Sequence, residues 1–332
     1  MQSQEHDGAK DEVKIDVKSQ VAKTLIEAME RGETPWQKPW AAVSMRPVNP
    51  TTDNAYRGIN RILLALAGRQ DNRWLTYQQA QAKGWQVRKG EKGSMIVKLV
   101  EVGGGGRNGP EAEAAEQGGD GAGSGAGHGK KAFALRRYTV FNAQQIEGVP
   151  EIELPSEKMF DPVERAEAVI QAMKEKTELL VIHGGNQACY IPALDEVRLP
   201  QKKAFHSVYD YYATAMHECS HATMHKKRLD RQEGFGKRWG DEAYALEELT
   251  AEIASAILAS ETGVPMPSGQ AHLDNHSGYL QSWIKVLSKD PMAIFTAAKA
   301  ADKISEYMLG LERQMTAFEP HKEWVADYDR HQ

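Results

Sequence analysis

His217-Glu218-Cys219-Ser220-His221 sets two imidazoles four residues apart, a spacing that lets both reach one cation when the backbone is helical. The flanking residues supply that helix. Ser207, with Asp210 three positions later, makes a capping start. Val208, Tyr211, Tyr212, Ala215, Met216, Cys219 and Ala222 then form an apolar stripe beside the histidine line. Cys219 belongs to that stripe and reads as a small core residue. His225, one turn on, reads as a capping or core-edge residue.

Two imidazoles do not complete a metal site, because a catalytic zinc takes three protein ligands and keeps one open position. The best source of the third is Glu247-Glu248-Leu249-Thr250-Ala251-Glu252, after a turn around Gly234–Gly240. On a helical wheel Glu248 and Glu252 adjoin the apolar arc of Ala245, Leu249, Ile253, Ala256 and Ile257. Glu247 falls opposite that arc, where solvation is expected. Glu248 is then the third ligand and Glu252 the carboxylate holding a ring by its other nitrogen, or the two exchange roles. Glu218 adjoins the first histidine, where a carboxylate can take and return a water proton. The expected cofactor is one divalent ion. Zinc suits two imidazoles and a carboxylate best, with manganese or cobalt also compatible.

Net charge is −5, but it is distributed unevenly. Residues 34–100 hold eleven Lys/Arg against three acids, a net of +8, so the remainder totals −13. A basic segment in an acidic chain points to a polyanionic partner. Trp36, Trp40, Tyr56, Trp74, Tyr77 and Trp85 lie among these cations. Aromatic faces that stack on unpaired bases, with cations following the backbone, are what single-strand binding requires. Trp74 and Trp85 adjoin helix and strand starts and read as core. Trp36, Lys38 and Trp40, in a proline-punctuated loop, read as contacts, together with Tyr56, Arg57, Arg61, Lys89 and Lys92.

Helices are expected over 13–31, where Val13, Val17, Val21, Leu25 and Met29 recur every four residues, and over 58–68, 76–83 and 161–175. Residues 94–102 and 131–142 alternate as strands, and the Gly-rich stretch 103–129 reads as a disordered loop between them. Short strands are expected at 179–183, 188–191 and 196–199, with helices after Ser207. No apolar run reaches the roughly 18 residues a membrane span needs. The polar, acidic N-terminus lacks a secretory core, and the two cysteines, Cys189 and Cys219, make no disulfide framework. A reducing cytoplasm is the expected address.

PWQKPW, NAYRGINRILL, WLTYQQAQAKGWQVRKGEKGSMIV and RRYTVFNAQQIEG resemble, in that order, the N-terminal region of ArdC-type antirestriction proteins, with related regions in primases of conjugative plasmids. HGGNQACYIPALDEVRLP, HECSHATMHKKRLDR and EAYALEELTAEIASAIL similarly resemble that family's zincin-like C-terminal domain. The resemblance implies an α+β chain of two domains. A small α+β domain that binds single-stranded DNA (residues 1–150) would precede a mainly helical zincin-like domain with a short antiparallel sheet (151–332). It implies a plasmid-encoded bacterial protein that protects incoming conjugative DNA, with a protein substrate or restriction component as a further partner. An intracellular zinc metallopeptidase, or a DNA-binding protein with a purely structural metal, stays open on the residues alone.

Overall fold

The structure, a computed structural model, describes residues 16–34, 36, 46–102, 132–151, 162–231, 242–264 and 277–316. Lys38, Trp40, the Gly-rich stretch and the turn around Gly234–Gly240 lie outside the described residues.

Helix α1 (Val17–Glu30) starts where the Asp16 side chain accepts from the Lys18 and Ser19 amides at 2.8 and 3.1 Å. It stops at Gly32, whose φ of +76° lets the Glu33 amide reach the Ala28 carbonyl at 3.0 Å. Its buried stripe includes Val21, Leu25 and Met29, as the four-residue recurrence predicts; Val13 lies outside the described residues.

Strands β1 (Val48–Asn49) and β2 (Asn54–Ala55) form a small ribbon before α2 (Ile59–Leu66). Then come β3 (Trp74–Leu75), α3 (Tyr77–Ala82) and β4 (Gln86–Val87). Two long antiparallel strands follow, β5 (Ser94–Val102) and β6 (Ala132–Asn142), and β7 (Ile146–Glu147) closes this half by pairing with β4. The main sheet runs β3-β6-β5. Asn60 of α2 covers the outer edge of β5, its side chain donating to the Val97 carbonyl and accepting from the Val97 amide, each at 2.8 Å.

The second half is α4 (Pro162–Thr177), three short strands, and four long helices. The strands are β8 (Leu180–His183), β9 (Cys189–Ile191) and β10 (Glu196–Leu199), in the order β8-β10-β9. This sheet is mixed where an antiparallel one was expected: β10 pairs antiparallel with β9 but parallel with β8. Two successive chain reversals bring β10 back in the direction of β8, and it inserts between the other two. Helices α5 (Val208–Ala222), α6 (Glu242–Thr262), α7 (Ser277–Lys289) and α8 (Ala293–Thr316) follow.

One hydrophobic cluster runs through both halves. Val21 and Leu25 of α1 and Ile62 of α2 share it with Met216, Ile253, Trp283 and Ile304 of α5–α8. Polar contacts reinforce the junction. The Gly58 amide donates to the Asp302 carboxylate, and Arg61 Nη2 meets Glu261 Oε1 at 2.8 Å. Among the described residues, no helix is long and apolar enough to cross a membrane.

Candidate metal centre

Ser207 caps α5 by accepting from the Asp210 amide at 3.0 Å. Burial of Tyr212, Ala215, Met216, Cys219 and Ala222 fixes the helix about its axis. That rotation turns His217 and His221 toward α6. Their Nε2 atoms lie 3.1 Å apart, and the Glu248 carboxylate sits 3.4 Å from the His217 Nε2 and 3.5 Å from the His221 Nε2. Two donors held tetrahedrally at zinc distances are about 3.3 Å apart. The three side chains therefore already form a triangle of the right size for one cation, and they are the group among the described residues that could hold a metal ion.

Each ring is also held from behind. Glu252 Oε2 lies 3.3 Å from His217 Nδ1, and Glu247 Oε1 lies 3.2 Å from His221 Nδ1. A carboxylate on Nδ1 fixes the tautomer that leaves the Nε2 lone pair toward the metal. The geometry thus distinguishes Glu248, which faces both Nε2 atoms, from Glu252, which faces Nδ1. Glu247 departs from the wheel reading. It is buried, because every residue from Glu247 to Ala259 is buried and α6 has no solvated side there. Arg231, from the loop after α5, grips Glu247 through both carboxylate oxygens at 3.0 and 3.1 Å. The Glu-Glu pair was visible in the sequence, but Arg231 gave no signal of its own within a run of basic residues.

The charges around the triangle favour a cation. Glu218, Glu247, Glu248 and Glu252 bring four carboxylates against the single guanidinium of Arg231, −3 with neutral imidazoles. Burial opposes a charged His217 ring, but hydrogen bonds to Glu248 and Glu252 outweigh it and hold the ring well above the usual histidine range. Burial likewise opposes ionised Glu247 and Glu248, and their histidine partners still hold both below the usual carboxylate range. A divalent ion would replace the shared protons in this balance. Tyr244 hydrogen-bonds Glu248 and Tyr279, and burial with the Glu248 charge raises the Tyr244 hydroxyl far above its usual range. Neither tyrosine was singled out by spacing. Burial pushes the Cys219 thiol to about 12, so it stays protonated and packs as core. His225 accepts from the Lys227 amide through Nδ1 at 3.2 Å, and the same nitrogen lies 3.8 Å from the Asp195 carboxylate.

Residues 15–141 match the N-terminal domain of anti-restriction factor ArdC, and residues 164–300 match a zincin-like metallopeptidase domain. A crystal structure of the antirestriction ArdC protein from R388 plasmid, metal-free, superposes with a TM-score of 0.68. It shares 34% identity, covering 90% of this chain and 99% of that one. The chain belongs to the ArdC antirestriction family. The Mn(II)-bound structure of the same R388 protein gives a TM-score of 0.66 at 34% identity, over 90% and 98% of the two chains. Two proteins named DNA primase TraC from Escherichia coli are 42% and 40% identical over 91% and 89% of this chain. The chain spans only 28% and 20% of their lengths. An uncharacterized Sinorhizobium fredii protein, y4eC, is 35% identical over 88% of this chain and 91% of its own. With the donor triangle, the zincin-like match and the Mn(II)-bound relative, the ArdC-family chain has a divalent-metal centre.

The described residues expected to touch nucleic acid differ in their settings. Trp36 is corrected: it is 5% exposed, edge-on to Trp283 at 5.5 Å between centroids, and cannot stack on a base. A tryptophan in a proline-punctuated sequence gives no sign of its burial, and Trp283 of α7 supplies the slot. Arg61 is corrected too, being 5% exposed and spent on Glu261 at the junction. Composition cannot tell which side of α2 faces Glu261 at the end of α6. Arg57 pairs with Glu306 at 2.8 Å while half-exposed, and Tyr56 is half-buried with its hydroxyl donating to the Trp74 carbonyl at 3.1 Å. Lys89 and Lys92 are exposed. Trp74 and Trp85 pack into small clusters, as core residues do.

Proposed function

We propose that this ArdC-family chain binds single-stranded DNA and protects incoming conjugative plasmid DNA from restriction in the cytoplasm of a bacterial recipient, with a metal-dependent, peptidase-like C-terminal half. The observation that carries this reading is the His217–His221–Glu248 triangle, built into a chain whose residues 34–100 carry a net charge of +8. Two imidazoles and a carboxylate suit zinc, and manganese is the ion held by the R388 relative. A divalent ion in this site supplies Lewis acidity.

The chain's own residues do the rest. Glu252 and Glu247 hold the imidazoles in register through their Nδ1 atoms. Glu218, adjoining His217 on the same half-buried stretch of α5, takes a proton from the attacking water and delivers it to the leaving amine of a peptide bond. The substrate class is then a protein, with a restriction component as the candidate.

A second reading, in which the ion only braces the fold, gains from the burial of Glu247, Glu248 and Glu252 in a helix inside the shared core. Replacing Glu218→Ala separates the two. Metal analysis should give the same content as the parent chain. Loss of protection in a conjugation assay against a restricting recipient supports hydrolysis, and full protection selects the bracing role.

A further inference from the structure

The β5–β6 hairpin carries side chains that neither the core nor the metal centre uses. Directly opposed residues of a strand pair share a face, as do alternate residues along each strand. The register sets Lys98 opposite Arg136 and Ile96 opposite Tyr138, so Lys98, Arg136 and Tyr138 share one face. Glu101, the one acid in these two strands, pairs with Phe133 on the other face. Tyr138 is 37% exposed and Arg136 is exposed. Among the described residues Arg136 has neither an ion pair nor a side-chain hydrogen bond.

Toward the base of the hairpin the same face is filled. Leu64, Trp74 and Val140 form a buried cluster with Tyr56 and Ile96 packed against it. Tyr138 therefore stands where the packed surface gives way to an exposed one, beside two cations.

We infer that this face binds single-stranded nucleic acid, with a base stacked on Tyr138 and the phosphate backbone drawn across Arg136 and Lys98. The inference rests on the reading of the chain as a single-strand binder, and it locates the contact that buried Trp36 and Arg61 cannot make. One exposed ring flanked by cations suits unpaired bases, whose faces are open, whereas a duplex hides those faces.

The test uses the full chain and fluorescein-labelled oligothymidylate, followed by anisotropy across a salt series. Tyr138→Ala should weaken binding roughly five- to 150-fold. Arg136→Gln should lower the slope of log affinity against log salt by about 0.7, and Arg136→Lys should restore it. Melting curves matched to the parent chain exclude misfolding as the cause. If the parent binds but Tyr138→Ala and Arg136→Gln keep its affinity and slope, the face is wrong while the single-strand reading stands. A parent chain that ignores the oligonucleotide, or prefers a duplex, overturns both.

Discussion

Glu247 joins His221 to Arg231: one carboxylate faces the ring Nδ1 at 3.2 Å and accepts from both terminal nitrogens of the guanidinium. Arg231 also donates to the Ser220 carbonyl at 3.1 Å, which ties the loop after α5 to both helices behind the metal triangle. Removing a carboxylate that orients a metal-binding histidine typically weakens the metal ten- to a hundredfold. Glu247→Ala should do so, measured by zinc or manganese titration against a competing chelator. Unchanged affinity in a folded variant would remove Glu247 from this role.

Metal should stabilise the folded chain. At about a hundredfold excess over Kd, a ligand that binds only the folded state adds about 2.7 kcal/mol. The parent chain should melt higher with manganese or zinc than with chelator, and His217→Ala should abolish the difference. Identical melting of the parent in both conditions would count against the centre.

Trp36 links the two halves by packing on Trp283, and its role is structural. Trp36→Ala should cost about 3–5 kcal/mol in urea unfolding. Under conditions where it remains folded, its affinity for oligothymidylate should match the parent. A selective loss of binding at full stability would reverse the assignment.

Asp195 accepts from the Tyr190 hydroxyl at 2.9 Å and from Arg228, whose side chain is fully buried. Burial pushes the Asp195 carboxyl up, but the Arg228 and Tyr190 hydrogen bonds outweigh it and hold the group below its usual range. A carboxyl depressed in the folded state contributes stability above its unfolded pKa and loses it as pH falls through the folded one. Asp195→Asn should therefore cost about 3–5 kcal/mol at neutral pH, because it leaves a buried guanidinium short of its partner. The gap should narrow below about pH 4, read from urea midpoints. A constant gap across the acid range would assign the loss to packing alone.

Local chemistry was legible in the sequence wherever one repeat governs it. Four-residue spacing has one meaning on a helix, so His217, Glu218 and His221 could be placed on α5. The alternation over 94–102 and 131–142 likewise predicts β5 and β6, because strands have a period of two.

What the sequence could not determine is which neighbour covers each face. A wheel places Glu247 opposite an apolar arc, yet surrounding elements leave residues 247–259 of α6 no wet side, and the residue turns inward to His221 and Arg231. The same limit applies to Trp36 and Arg61, whose charge and aromaticity describe possible partners but not position. The sequence by itself determined that His217 and His221 share a helical face and that a carboxylate helix lies downstream. Only the tertiary structure decided that Glu248 points at both Nε2 atoms while Glu252 and Glu247 stand behind the rings. Helical periodicity is a short-range property of one chain segment, whereas the rotation of α6 against α5 is set by long-range packing of the shared core.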